Sequence, residues 1–268
     1  MKYKHKARKR FGQNFLQDSG VIDAIVAAVN PRPGHTIVEI GPGQGALTGR
    51  LLASGAQVHA IEIDRDLVAA LHQHYARAEN FVLHASDALT FALDTLAPVP
   101  LNVVGNLPYN ISTPLLFHLL RHRHCIEDVH VMLQSEVVDR LIASPASKAY
   151  GRLSVMLQYY FNIERLFQVP ASAFHPQPKV QSAVVKLSPV VIPPAGQVAF
   201  EALETVVKHA FAQRRKTLKN NLSQLFQAQP ELLAEYGRKR AEDLPVADFV
   251  SLAQRLSTSD QSGGEGKP

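Results

Sequence analysis

Between Thr36 and Pro189 the chain alternates short apolar runs with amphipathic segments, and that alternation restricts its fold more than any other feature. TIVEI (36–40), QVHAIEI, FVLHAS, LNVVG, DVHVMLQ, NIERLFQV and SAVVKLSP read as strands. GALTGRLLASG, RDLVAALHQHY, TPLLFHLLRHR and GRLSVMLQYYF, set between them, repeat their apolar residues with helical spacing. Strands that take turns with helices predict an α/β fold: a mostly parallel sheet of about seven strands with helices on both faces. The pattern breaks at SPVVIPPAGQ (188–197), which is rich in proline and reads as a linker. Beyond it VAFEALETVVKHAFAQ, KTLKNNLSQLFQ and LPVADFVSLAQRL show only helical periodicity. The expected organisation is a large domain over 1–188, a small all-helical domain over 198–256, and a disordered tail over 257–268.

One strand–helix junction carries chemistry. VEIGPGQGALT (38–48) runs from strand through a glycine loop into a helix. Gly41, Gly43 and Gly45 allow a sharp turn and a close approach by a ligand, and the helix start offers free N–H groups. The next strand ends at Glu62, roughly twenty residues on, where a carboxylate accepts both hydroxyls of a ribose. Together these point to a nucleoside-containing cofactor. They do not choose it: Gly41, Gly43 and Ala46 also fit the dinucleotide fingerprint, so a nicotinamide-dependent oxidoreductase stays open. FVLHASDAL places Asp87 just past a strand, where it either holds an adenine amino group or caps a helix.

Charge and cysteine content bound the setting. The net charge is +5, and Lys2, Lys4, Lys6, Arg8, Lys9 and Arg10 precede any acidic residue. A second basic group, Lys208, Arg214, Arg215, Lys216 and Lys219, lies in a stretch that reads as helix, and Arg238, Lys239 and Arg240 follow. Separated basic patches fit a polyanion gripped at several points; solvated helix faces would look the same. With one cysteine, Cys125, no internal disulfide forms, and no run has the length of a membrane span or signal segment. The expectation is a cytoplasmic protein with no membrane or metal partner. His118 and His122 could share a helix face as a zinc pair, but no second ligand pair stands near them, and a solvated helix end is the simpler reading.

VVGNLPYNIS (103–112) ends a buried strand with an amide, a rigid ring and an aromatic. Such a corner suits an exocyclic amine, whose lone pair is shared with its ring. Asn106 can accept one N–H and the Leu107 carbonyl the other, with Pro108 fixing that peptide; Tyr109 can stack on the base. The amine's lone pair is then aimed by orientation and electrostatics, without a strong base.

These motifs resemble a known family. VEIGPGQG, Glu62 and Asp87 look like the binding elements of class I S-adenosylmethionine methyltransferases, and NLPY like the amino-methyltransferase motif. FGQNFL (11–16), FHPQPKVQSAVV (174–185) and HAFAQRRKTLKNNL (209–222) are similar to segments of the small-subunit rRNA adenine N6,N6-dimethyltransferases. The resemblance implies a Rossmann-like methyltransferase sheet and S-adenosyl-L-methionine as cofactor. It implies that Gln13, Asn14 and Leu16 close over the methionine part, with Gly41 and Gly43 beside it. Glu62 would hold the ribose, Asp87 the adenine amino group, and Asn106 both the cofactor edge and the target amine. Leu107, Pro108 and Tyr109 would line the target pocket, and Phe174 would stack on the other face of a base flipped out of its helix. The implied reaction is dimethylation of two adjacent adenosines near the 3′ end of small-subunit rRNA, within a pre-assembled subunit, by a monomer. Lys4, Arg8, Lys9, Arg10, Arg214, Arg215, Lys216 and Lys219 are the expected RNA contacts. A non-catalytic ribosome-assembly factor and a DNA amino-methyltransferase are the neighbouring readings.

Overall fold

A computed structural model of the chain describes residue 8 and residues 12–96, 100–191, 197–227 and 229–262. Its contacts divide the chain into two compact units: Met1–Val138 with Asn162–Pro189, and Asp139–Phe161 with Val190–Pro268.

The first unit is built on the strands β1 (Phe15–Leu16), β2 (Thr36–Ile40), β3 (Gln57–Glu62), β4 (Phe81–Ala85), β5 (Leu101–Asn106), β6 (Ile126–Gln134), β7 (Phe161–Val169), β8 (Phe174–His175) and β9 (Ser182–Pro189). Seven of them form one sheet in the order β4-β3-β2-β5-β6-β9-β7. The pairs from β4 through β6 are parallel, and β9 runs antiparallel to β6. All five residues of β2 are buried, as a central parallel strand requires. The helices interleaved here are α1 (Ser19–Val29), α2 (Thr48–Ala53), α3 (Arg65–His74) and α4 (Ser112–Arg121), and α5 (Ser135–Leu141) follows β6.

The chain leaves β2 toward β3 and β4, then returns to place β5 on the other side of β2. That reversal opens a crevice at the carboxyl ends of β2 and β5, where ligands of open α/β sheets bind. Across one face, Ile37, Val58, Val104, Met132 and Val184 share a core with Ile22, Ile25 and Val29 of α1 and Leu51 of α2. Truncating any such fully buried aliphatic residue to alanine costs about 2–5 kcal/mol. Asp18 starts α1 by accepting from the Val21 N–H, and Asn30 ends it in the left-handed conformation.

Two strands that sequence periodicity does not reveal tie distant motifs together. β1 pairs antiparallel with β8, with Phe15 opposite His175 and Leu16 opposite Phe174. FGQNFL and FHPQPKVQSAVV are therefore neighbours, and Leu16 and Phe174 enter the same core.

The second unit holds α6 (Arg152–Tyr160), α7 (Phe200–Ala210), α8 (Leu218–Asn221), α9 (Ser223–Phe226), α10 (Pro230–Tyr236) and α11 (Val246–Ser262). The helix expected at GRLSVMLQYYF is α6; it packs on α7 and α11, so its segment clusters with the C-terminal helices and not with the sheet that flanks it in sequence. α11 continues to Ser262, past the expected start of the tail at residue 257; residues 263–268 lie outside the described residues. The basic triplet Arg214-Arg215-Lys216 is not helical as expected: α7 stops at Ala210, and the triplet lies in the connection to α8. The Asn221 side-chain amide donates to the Ala210 carbonyl (2.6 Å) and the Gln213 carbonyl (3.1 Å), closing the end of α7.

Candidate active site

Parallel pairing brings Ile40, Glu62, Ala85 and Asn106 to one edge of the sheet. A cavity of about 210 Å³ opens there, lined by the glycine loop, Glu39, Glu62, Ser86–Leu89, Asn106–Ile111 and the segment Gly12–Leu16. The corner that follows β5 and the glycine turn that follows β2 thus share one space.

Gly41 has φ 65°, and a Cβ built on it would meet no protein atom within 4 Å. Its bare backbone borders the cavity. Gly43 is left-handed as well, with φ 58°, and a Cβ there would press on the Phe15 ring at 3.1 Å. Its N–H donates to Glu62 Oε2 (3.2 Å). The other Glu62 oxygen accepts from the N–H groups of Ile63 (3.0 Å) and Asp64 (2.9 Å). Three backbone donors therefore fix this carboxylate, with acceptor capacity left for a diol. Burial pushes the Glu62 carboxyl above its usual range, and the three N–H groups oppose that rise.

Asp87 caps a turn, since no helix starts after β4 at this point. Its Oδ1 accepts from the Leu89 N–H (2.9 Å), which shapes the turn after β4, and the residue also borders the cavity.

The Asn106 amide nitrogen donates to the Asn14 carbonyl (2.8 Å). Only the NH₂ end of an amide can face a carbonyl, so this contact sets which way the group points. Among the described residues, neither the Asn106 side-chain oxygen nor the Leu107 carbonyl receives a hydrogen bond. The Leu107 N–H is held by the Met132 carbonyl (3.2 Å), and the Ile111 N–H closes a turn onto the Pro108 carbonyl (3.1 Å). The half-buried Tyr109 places its phenol oxygen 2.6 Å from Ser182 Oγ.

The N-terminal segment is tied to the rim. Gln13 Nε2 donates to Asp64 (3.1 Å), and its oxygen accepts from the Arg8 N–H (2.8 Å). Both polar ends of Gln13 are thus engaged within the protein. Leu16 borders the cavity from β1.

Several expectations need correction. Phe174 does not face the cavity. It is 4% exposed, lies opposite Leu16 in the β1–β8 pair, and packs in the core, because the short strand turns it inward and His175 outward. Arg8 is not a solvated basic residue: its guanidinium pairs with Asp64 (2.8 Å) and with Asp66. Arg214 is likewise engaged, with Glu242 (2.7 Å) and the Lys148 carbonyl (2.6 Å). Arg215, Lys216 and Lys219 are exposed. Lys4, Lys9 and Arg10 lie outside the described residues. His118 and His122 turn ring nitrogens to the Phe91 and His118 carbonyls (2.9 and 3.0 Å). Among the described residues no group of three or more potential ligands could hold a metal ion, and no helix is long and apolar enough to cross a membrane.

Two residues escaped the sequence reading. Glu39, the last residue but one of β2, is 1% exposed, borders the cavity, and accepts the Thr48 hydroxyl (2.6 Å). Its carboxyl is pushed from 4.5 to about 7, first by burial and then by the neighbouring charge of Glu62. The available signal was a charged residue inside an otherwise apolar strand. Ser182, buried beside Tyr109, gave none. With Asp87, the cavity wall carries three carboxyl groups, Glu39, Glu62 and Asp87, and among the described residues no lysine, arginine or histidine.

The family model described as ribosomal RNA adenine dimethylase matches residues 4–258. The chain is 53% identical over 258 residues to the ribosomal RNA small subunit methyltransferase A of Pseudomonas fluorescens, covering 95% of each chain. It is 51% identical over 262 residues to the protein of that name from Chromobacterium violaceum, covering 97% of this chain and 99% of the other. Among solved structures, a dimethyladenosine transferase from Plasmodium falciparum superposes with a TM-score of 0.78 at 24% identity, over 92% of this chain and 98% of that one. A 23S rRNA methyltransferase superposes with a TM-score of 0.67 at 26% identity, over 91% and 100%.

Proposed function

Because the chain belongs to the ribosomal RNA adenine dimethylase family, we propose that it uses S-adenosyl-L-methionine to dimethylate the N6 amino groups of two adjacent adenosines near the 3′ end of small-subunit rRNA. On this reading it works as a monomer in the cytoplasm, on rRNA within a pre-assembled small subunit, as a step in ribosome biogenesis. The observation that carries the mechanism is the Asn106 amide. Its nitrogen is committed to the Asn14 carbonyl, so its oxygen is left as an acceptor beside the Leu107 carbonyl. Two acceptors at one corner suit an amine with two N–H bonds.

The cavity fits the cofactor by charge. Three carboxyl groups without a basic residue attract a ligand bearing a sulfonium and an ammonium, and they repel the pyrophosphate of a dinucleotide. When bound, S-adenosylmethionine would supply an electrophilic methyl group on a sulfonium sulfur, a good leaving group for an amine nucleophile. Glu62, fixed by three N–H groups, would hold the ribose hydroxyls, and Asp87 the adenine amino group. The bare backbone of Gly41 and Gly43 would let the methionine part lie close, with Asn14 and Leu16 covering it. Gln13 would brace this cover through Asp64 and not by its own polar contact to the cofactor. Asn106, Leu107 and Pro108 would orient the target amine, and Tyr109 would stack on its base. Of the expected RNA contacts among the described residues, Arg215, Lys216 and Lys219 are exposed and would meet RNA phosphates.

Mass spectrometry of rRNA after incubating unmethylated small subunits with labelled cofactor tests this reading. Two dimethylated adenosines are expected; an unlabelled product would end it.

A further inference from the structure

We propose that Ser182 is a positioning residue for the second methyl transfer: it holds the Tyr109 ring in one plane, and the reaction leans on that hold once the target amine has lost an N–H. The inference rests on the adenine-amine reading above.

Tyr109 follows the two acceptors of the corner after Pro108, and it borders the cavity. At its base the Tyr109 carbonyl accepts the Ser112 hydroxyl (3.1 Å). At its far end the phenol oxygen meets Ser182 Oγ at 2.6 Å, while the serine is fully buried at the start of β9. The Ser182 backbone is fixed on both sides. It sits opposite Gln134 of β6, and the carbonyl of its neighbour Gln181 accepts the Ser135 N–H (2.9 Å). Among the described residues the phenol is the serine hydroxyl's hydrogen-bond partner, so the contact joins the ring of the corner to the end of a paired strand.

A primary amine offers two N–H bonds, one for the Asn106 oxygen and one for the Leu107 carbonyl. Two hydrogen bonds and the ring plane then fix the lone pair. After one methylation a single N–H remains. Half of the polar hold is gone, and the stacked base plane must supply more of the orientation. Loosening Tyr109 should therefore slow the second transfer more than the first.

The test is a time course with Ser182→Ala and Tyr109→Phe on unmethylated small subunits, counting monomethylated and dimethylated adenosine. Each variant should raise the ratio of first to second rate constants by about three- to tenfold, the weight of one hydrogen bond. The double variant should be no worse than either single one. Ser182→Thr, which keeps the hydroxyl, should restore the normal ratio. Cofactor affinity by calorimetry should stay unchanged in Ser182→Ala. Without cofactor, an RNA carrying 2-aminopurine at the target position should be quenched less by Ser182→Ala than by the unaltered chain. Equal slowing of both transfers, a loss of thermal stability with an unchanged product ratio, or additive effects in the double variant would each overturn the inference. If the unaltered chain methylates no adenine, the underlying reading fails and this inference with it.

Discussion

Glu39→Gln should be more stable than the parent chain near pH 8 and no more stable near pH 5. Glu39 is 1% exposed, and among the described residues no cation pairs with it. Its carboxyl rises from 4.5 to about 7 because burial penalises the charged form and Glu62 adds like charge; the Thr48 hydroxyl opposes the rise without cancelling it. A group whose pKa is raised by folding contributes stability below its unfolded value and loses it as pH climbs through the folded one. For Glu39 that window runs from 4.5 to about 7. At 1.36 kcal/mol per unit, the ionised form costs about 3 kcal/mol of stability above the window. Glutamine keeps the shape and an oxygen for Thr48 but cannot ionise. The variant should therefore melt about 6–12 °C higher than the parent near pH 8, measured by calorimetry without cofactor. His59, His84, His118 and His130 are all pulled below 6.5 by burial. They are common to both chains and cancel in the difference. Cofactor binding should move the opposite way: a carboxylate facing a cationic ligand helps binding, so the more stable variant should bind S-adenosylmethionine more weakly. If the variant is destabilised equally at both pH values, Glu39 serves only as an acceptor for Thr48 and the charge argument is wrong.

Asn106→Ala should lower methyl transfer by about 10²–10³-fold, the usual weight of one oriented polar group at a reacting centre, in an assay with labelled cofactor. Cofactor binding by calorimetry should be weaker but measurable, and near-normal turnover would refute the amide's role. RNA affinity should fall steeply with salt, and replacing Arg215, Lys216 or Lys219 by alanine should each reduce the log–log slope by about 0.9, as a lost phosphate contact does. Arg214→Ala should leave the slope nearly unchanged, because its guanidinium is already engaged by Glu242 and Lys148; filter binding across a salt series decides. The His59 and His84 ring nitrogens meet at 3.0 Å, and burial lowers both below 6.5, so the stability this pair contributes should be complete above 6.5 and decline as pH drops below it. His84→Gln should flatten that decline in thermal melts.

Some residues of the site were legible because position alone defines them. Glu62, Asp87 and Asn106 each end or closely follow an apolar run, and in a parallel sheet every such polar residue reaches the same edge. The glycine loop was legible for a related reason: three glycines between strand and helix have few uses that do not involve a ligand. Glu39 lies one residue short of its strand's end, and its burial depends on α2 bringing Thr48 against it, which no local pattern encodes. Phe174 illustrates the opposite failure. FHPQPKVQ has motif strength but no periodicity, so only the two-residue pairing with β1 decides that the ring turns to the core. The basic triplet was misplaced because periodicity runs on past Ala210 in sequence, while an amide eleven residues later, on Asn221, closes the helix there in space. In each case the missing information was a contact between segments far apart in the chain. Ser182 is the sharpest instance. As the first residue of a strand it reads as spacing, and it acquires a role only when β9 is laid beside β6 and its hydroxyl comes within reach of the Tyr109 phenol.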